Sequence, residues 1–174
     1  MKILLFAGIA AVAVGIVLIG LYVWTLGHSP DDDTLYEPDL TDPATPAVTA
    51  VRIQKVGDEN GCSYSWEARM VGPDKVRVTV CSQPTFNSRE KVTKRTVGLD
   101  VLTQIADIVE ANGMAAWDDL PRTELVALDA ATVSMSFVRA GEEHRFSDSQ
   151  EVPGSGWVAL WEIAGLIEEA AGVK

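Results

Sequence analysis

Ser134, Ser136, Asp129 and His144 are the residue types of a hydrolytic triad. That chemistry needs a hydroxyl nucleophile, an imidazole to take its proton and a carboxylate to orient the ring. The chain has no G-x-S-x-G elbow and no recognisable oxyanion-hole motif. Ser134 and Ser136 also alternate with Val133, Met135 and Phe137, which predicts both hydroxyls on the wet face of a strand. The principal reading therefore assigns no catalytic residue. A cell-envelope hydrolase using His144 with Asp129 is the alternative. The acidic pairs Asp118-Asp119, Glu142-Glu143 and Glu168-Glu169 are adjacent, so each splays to different sides and cannot flank one substrate atom. With two cysteines and two histidines, the chain carries no disulfide scaffold, no multi-histidine metal centre and no cofactor signature.

Cys62 and Cys81 flank a hairpin and form a candidate disulfide if the domain lies in an oxidising compartment. Residues opposed across an antiparallel pair share a face. Cys62 belongs with the apolar even positions of its strand, whereas Cys81 falls among polar odd positions. A bond between them needs a bulge or irregular chain at the open end of the hairpin, which Asn60-Gly61 and Pro84 can supply. Two thiols are the competing state.

The chain carries 25 acidic and 14 basic side chains, a net charge of −11, and a pI near 4.5. Nucleic-acid binding needs a basic footprint, so this balance speaks against it. The charge is not uniform. Residues 52–95 hold nine basic and five acidic side chains, net +4, whereas residues 96–174 hold four and fourteen, net −10. Arg77, Lys91, Lys94 and Arg95 mark a candidate face for an anionic partner, such as an acidic protein, an envelope polymer or lipid headgroups. The plainer account is neutralisation within the domain and ordinary strand solubility.

These side chains must be held by regular elements. Cys62 to Val71 alternates Cys62, Tyr64, Trp66, Ala68 and Met70 against Ser63, Ser65, Glu67 and Arg69. Gly72-Pro73-Asp74 then turns the chain into Val76, Val78 and Val80, a β-hairpin. Val51–Ile53 and Lys91–Val97 read as flanking strands. Val101, Leu102, Ile105, Ile108 and Val109 keep the helical period up to the stop at Asn112-Gly113. Trp117 follows in a loop ended by Pro121. Leu125 to Leu128, Val133 to Phe137 and a short segment around His144 and Phe146 return to the strand pattern. Ser155 is positioned to cap a last helix with Trp157, Leu160, Trp161, Ala164 and Ile167 on one stripe. That stripe reads as core, with Trp66 as partner across the sheet, rather than as an aromatic binding ledge. The expected architecture is α+β: an N-terminal transmembrane helix, then an antiparallel sheet of five to six strands with two helices packed on one face.

Ile3 to Trp24 contains no charged residue. As a helix these 22 residues would span roughly 33 Å, enough for a bilayer core. Tyr22 and Trp24 suit the interface, and Lys2 before the run with Asp31, Asp32 and Asp33 after it predicts the N-terminus inside. The run is longer than a signal-peptide core, and Thr25-Leu26-Gly27 is a poor cleavage site, so an uncleaved anchor is preferred over a cleaved signal. Ala7, Ala11 and Gly15 form a small-residue stripe through which two such helices can dimerise. The chain thus divides into an anchor over 1–27, an acidic, proline-containing linker over 28–47 that should be extended and solvated, and an extracytoplasmic domain over 48–174. Asp31-Asp32-Asp33 lacks the spaced ligands of a calcium loop and reads as solvated stalk.

Leu102, Ile105, Ile108, Val109, Asn112, Trp117-Asp118, Leu128-Asp129, Ser134, Gly141 and Pro153 together resemble a domain of unknown function in bacterial membrane-anchored and lipoprotein-like extracytoplasmic proteins. Ala130 stands where glycine is more common in that family. The resemblance implies an extracytoplasmic location and an α+β fold, and assigns no functional residue. The combined expectation is a single-pass protein, embedded in lipid through residues 3–24, that presents a small binding or interaction domain outside the cell membrane. A membrane assembly or scaffold factor, with the helix in lipid as the working part, is a further alternative.

Overall fold

Alternation of apolar and polar side chains builds the centre of the molecule. The computed structural model describes residues 36–57, 61–85, 87–122 and 131–173. The expected anchor, the Leu125–Leu128 strand and Asp129 lie outside the described residues. Six strands are present: β1 (Val48–Val56), β2 (Ser63–Gly72), β3 (Lys75–Gln83), β4 (Lys91–Val97), β5 (Thr132–Arg139) and β6 (Glu142–Ser147). They form one antiparallel sheet in the order β4-β3-β2-β1-β5-β6. Two helices, α1 (Asp100–Ala111) and α2 (Gly154–Ala171), pack on one face of it. The antiparallel α+β sandwich expected from the sequence is therefore present. Among the described residues no helix is long and apolar enough to cross a membrane.

The covered face holds Val51 and Ile53 of β1, Trp66, Ala68 and Met70 of β2, Val76, Val78 and Val80 of β3, Met135 and Phe137 of β5 and Phe146 of β6. Leu102, Ile105 and Val109 of α1, with Leu160, Ile163 and Ile167 of α2, close over them. Burying each such side chain contributes roughly 1.5–3 kcal/mol, so this layer dominates folding. Trp66 meets Trp161 edge-on with ring centres 5.8 Å apart, and its indole N–H donates to Glu168 Oε1 at 2.9 Å. The tryptophan partnership across the sheet is thus formed. The buried stripe of α2 is nevertheless rotated from the expected one: Ala159, Leu160, Ile163, Ala164 and Ile167 face inward, while Trp161 stays 41% exposed.

Three local expectations are corrected. Trp117 lies in a 3₁₀ helix, Met114–Asp119, rather than in a loop. Its ring packs edge-on against Phe146 at 4.9 Å and against Gly156, where a Cβ would fall 2.3 Å from the indole. Helix α2 starts at Gly154 with Pro153 at its N-cap and no side-chain cap bond, so Ser155 is not the cap. Pro153 keeps an extended ψ of 142°, and its carbonyl accepts the Gly156 N–H at 2.7 Å as the helix begins. Finally, the acidic stretch is folded from residue 36 onward. Thr41 donates from its backbone N–H and its hydroxyl to Asp39 Oδ1 at 2.9 and 2.7 Å, the Ala44 N–H donates to Asp42 Oδ1 at 2.8 Å, and Tyr36 packs on the core. Local side-chain caps hold turns that charge repulsion alone would open. The hydrogen bonds from Thr41 hold the Asp39 carboxyl below its usual pKa.

Candidate functional site: the uncovered face of the sheet

No described element covers the opposite face. Side chains there fall in rows, because antiparallel partners share a face. One row runs Lys94, Thr79, Glu67, Arg52, Ser136, Arg145 across the sheet from β4 to β6. The row beside it runs Thr96, Arg77, Arg69, Ala50, Val138, Glu143, and that on the other side Val92, Cys81, Ser65, Gln54, Ser134, Ser147. Five cations, Arg52, Arg69, Arg77, Lys94 and Arg145, stand in these rows with two carboxylates, Glu67 and Glu143. Each carboxylate is engaged on its own strand. Arg69 Nε lies 3.5 Å from Glu67 Oε1, and Arg145 Nη2 donates to both oxygens of Glu143 at 2.8 and 2.7 Å. Those bonds, and then the charge of Glu143, raise the Arg145 guanidinium above its usual pKa.

The register redraws the face expected from the sequence. Arg77 and Lys94 lie on it, but Lys91 and Arg95 do not. Arg95 stands opposite Val78 and Lys91 opposite Ser82, on the side covered by the helices. Arg95 there lines a cleft with Glu169 of α2 and Asp100 of α1. The segment Lys91-Val92-Thr93-Lys94-Arg95 has no clean alternation, so only its pairing with β3 shows which side each charge takes. Arg52, Arg69 and Arg145 join the face in their place.

A concavity of about 440 Å³ opens on this face over β1, β5 and β6. Arg52, Arg122 and Arg145 line it with Gln54, Ser134, Ser136 and Ser147. A shallower hollow of about 140 Å³ continues it toward Arg69 and shares Arg52, Ser136 and Glu143. Among the described residues, neither Arg52 nor Arg122 makes an ion pair. Arg122 comes from an irregular segment, outside every strand, and is held there by a bridge to Gln150. Gln150 is buried, accepts the Ser147 N–H at 2.8 Å and donates to the Trp117 carbonyl at 2.8 Å. It therefore ties the end of β6, the 3₁₀ helix and Arg122 together. Nothing in the local sequence marks Gln150 or Arg122 for this, because both act through partners distant in the chain.

The triad residues are not brought together. Ser134 and Ser136 lie on the uncovered face, whereas His144 stands opposite Phe137 on the covered side. The ring of His144 stacks on Phe137 at 5.0 Å, and its Nδ1 lies 3.0 Å from Asp118 Oδ2. Asp118 Oδ1 also accepts the Arg145 N–H at 2.9 Å, so this carboxylate caps the outer edge of β6. The sheet separates the two serines from the imidazole, and the expected partner Asp129 lies outside the described residues. Cys62 and Cys81 are not bonded to one another. Cys81 lies on the uncovered face opposite Ser65, while Cys62 is buried just before β2 on the other parity. The pleat points them apart, which corrects the candidate disulfide. One member of each adjacent acidic pair is engaged: Asp118 meets His144, Glu143 meets Arg145 and Glu168 meets Trp66. Among the described residues, no group of three or more His, Cys, Asp or Glu side chains gathers as a metal site. No protein-family model matches the chain, and no curated protein sequence matches it.

Proposed function

We propose that this chain is a single-pass membrane-anchored protein presenting its α+β domain outside the membrane as a non-catalytic binding module, whose uncovered sheet face captures an anionic partner. The anchor is the uncharged run Ile3–Trp24, and the orientation follows from Lys2 before it and the acids after it. The observation that carries the binding role is the net positive charge of the uncovered face, where five cations stand with two carboxylates. Arg52, Arg69, Arg77, Lys94 and Arg145 share one face of a chain whose net charge is −11. Exposed Asp107, Glu110, Glu162 and Glu169 lie on the helices behind the other. Ordinary solubility does not require such sorting, since mixed charges on both sides serve it as well. A cationic face framed by an acidic body steers an anionic partner to one orientation and repels it from the rest. An acidic polymer of the cell envelope meets this face along its full width.

The test is capture of the full-length chain, purified in nonionic detergent, on immobilised polygalacturonate. Arg52→Glu with Lys94→Glu is expected to lower retention at least tenfold, and raising salt to do the same. Lys91→Glu, an equal change per residue on the covered side, is expected to leave retention near that of the parent chain. Equal losses from both variants would remove the uncovered face from the argument.

A further inference from the structure

We infer that the concavity between β1, β5, β6 and the Arg122 segment is a binding subsite for a tetrahedral oxyanion, the phosphoryl group of a phosphate ester. The inference rests on the reading of this face as an anion-binding surface and goes beyond it by naming the ligand chemistry. Three observations converge. First, Arg52 and Arg122 approach from different elements and, among the described residues, have no ion-pair partner. In a chain with 25 acids and 14 bases, two such guanidiniums on one hollow leave a local positive potential that the fold itself does not neutralise. Second, the acid at the rim does not cancel it, because both oxygens of Glu143 already accept from Arg145. Third, the floor carries hydroxyl donors from Ser134 and Ser136, which the strand pairing sets on the same side as Arg52.

A phosphate ester presents its free oxygens, three in a monoester and two in a diester, on corners of a tetrahedron whose remaining corners carry ester oxygens that also accept. Two arginine forks and serine hydroxyls on the floor match that demand, whereas a planar carboxylate uses two oxygens in one plane. The concavity, at about 440 Å³, has room for the phosphoryl group and the sugar or polyol that bears it. Phe146 is the one aromatic residue at its border among the described residues, and its ring is buried edge-on against Trp117, so it offers no open face for a nucleobase to stack on. Gln54 and Ser147 remain at the rim to meet hydroxyls of the polyol. Gln150 is the positioning residue, since it fixes the Arg122 segment against the end of β6.

Titration of the full-length chain, purified in nonionic detergent, tests the subsite with three probes: inorganic phosphate, glycerol 3-phosphate and a glycerol-phosphate oligomer. Saturable heat or chemical-shift changes are expected with all three. Arg52→Gln and Arg122→Gln are each expected to weaken binding at least tenfold, and Lys91→Gln less than twofold. Tighter binding of the oligomer than of glycerol 3-phosphate identifies a phosphodiester polymer as the source, and equal binding identifies a free phosphate ester. Absence of saturable phosphate binding, or equal weakening by Lys91→Gln, would overturn the subsite. If polygalacturonate capture persists in that case, the anion-binding reading of the face survives without it. If capture fails as well, both fall.

Discussion

The two faces of the sheet are made from the same strands, yet they are built on opposite rules. On the covered face, neighbours are Val51, Ala68, Val78 and Phe137, and their exact identity matters because atoms fill the space between sheet and helices. One residue along each strand, the neighbours become Arg52, Glu67, Thr79 and Ser136, where substitutions change folding by only about 0.5 kcal/mol. A sheet whose outer face need not be packed is where a small domain has side chains to spend on binding. The five cations there, against acids on the helices, are the feature on which the proposed binding role of this face rests.

Adjacent residues of β5 give the sharpest contrast. Phe137→Ala is expected to lose about 3–5 kcal/mol of stability by opening a core cavity, whereas Ser136→Ala should change stability by under roughly 0.5 kcal/mol. Denaturant unfolding of both variants measures the difference, and similar values would break the two-face division. A smaller effect, but one that reaches both faces, is expected of Gln150→Ala. It strands the Ser147 N–H and the Trp117 carbonyl. The expected loss is about 1–3 kcal/mol, together with weaker phosphate binding through the released Arg122 segment. Unfolding and titration on the same sample should therefore shift together. The smallest effect concerns the turn that sets which side each residue of β6 takes. Ala140 has φ 50° and Gly141 φ 83°, the paired left-handed conformations of a two-residue hairpin turn. Alanine is strained there, so Ala140→Asn should stabilise by roughly 0.5–1 kcal/mol. A raised denaturation midpoint with unchanged phosphate binding is the expected pair of results. A one-residue slip at this turn would swap Arg145 with Phe146 between the faces.

The parts of this arrangement that could be read from the chain are those with a local period. The β2–β3 hairpin and α1 follow from alternation, turn residues and a helical stripe that neighbouring positions display. The partnership of Trp66 with the last helix was also legible, because both sit on apolar stripes that need a cover. The face of β4 was not, since Lys91, Lys94 and Arg95 interrupt any alternation and their sides depend on pairing with Val78 and Ser82. Trp117 reads as loop because a six-residue 3₁₀ helix is too short to show a period. The ordered turns of residues 36–47 were hidden behind their prolines and acids, whose composition reads as extended chain while Asp39 and Asp42 in fact cap the turns.

By itself the sequence determined the β2–β3 hairpin and its turn, helix α1, the α+β class and the uneven distribution of charge, because all of these are properties of nearby residues. Tertiary structure alone decided that β5 pairs with β1, that Ser134 and His144 lie on opposite sides of the sheet, and that Arg52 and Arg122 share one concavity. The physical reason is that strand register and loop placement are fixed by packing between segments distant in the chain. A shift of one position in such a pairing reverses every side chain without changing the local pattern at all.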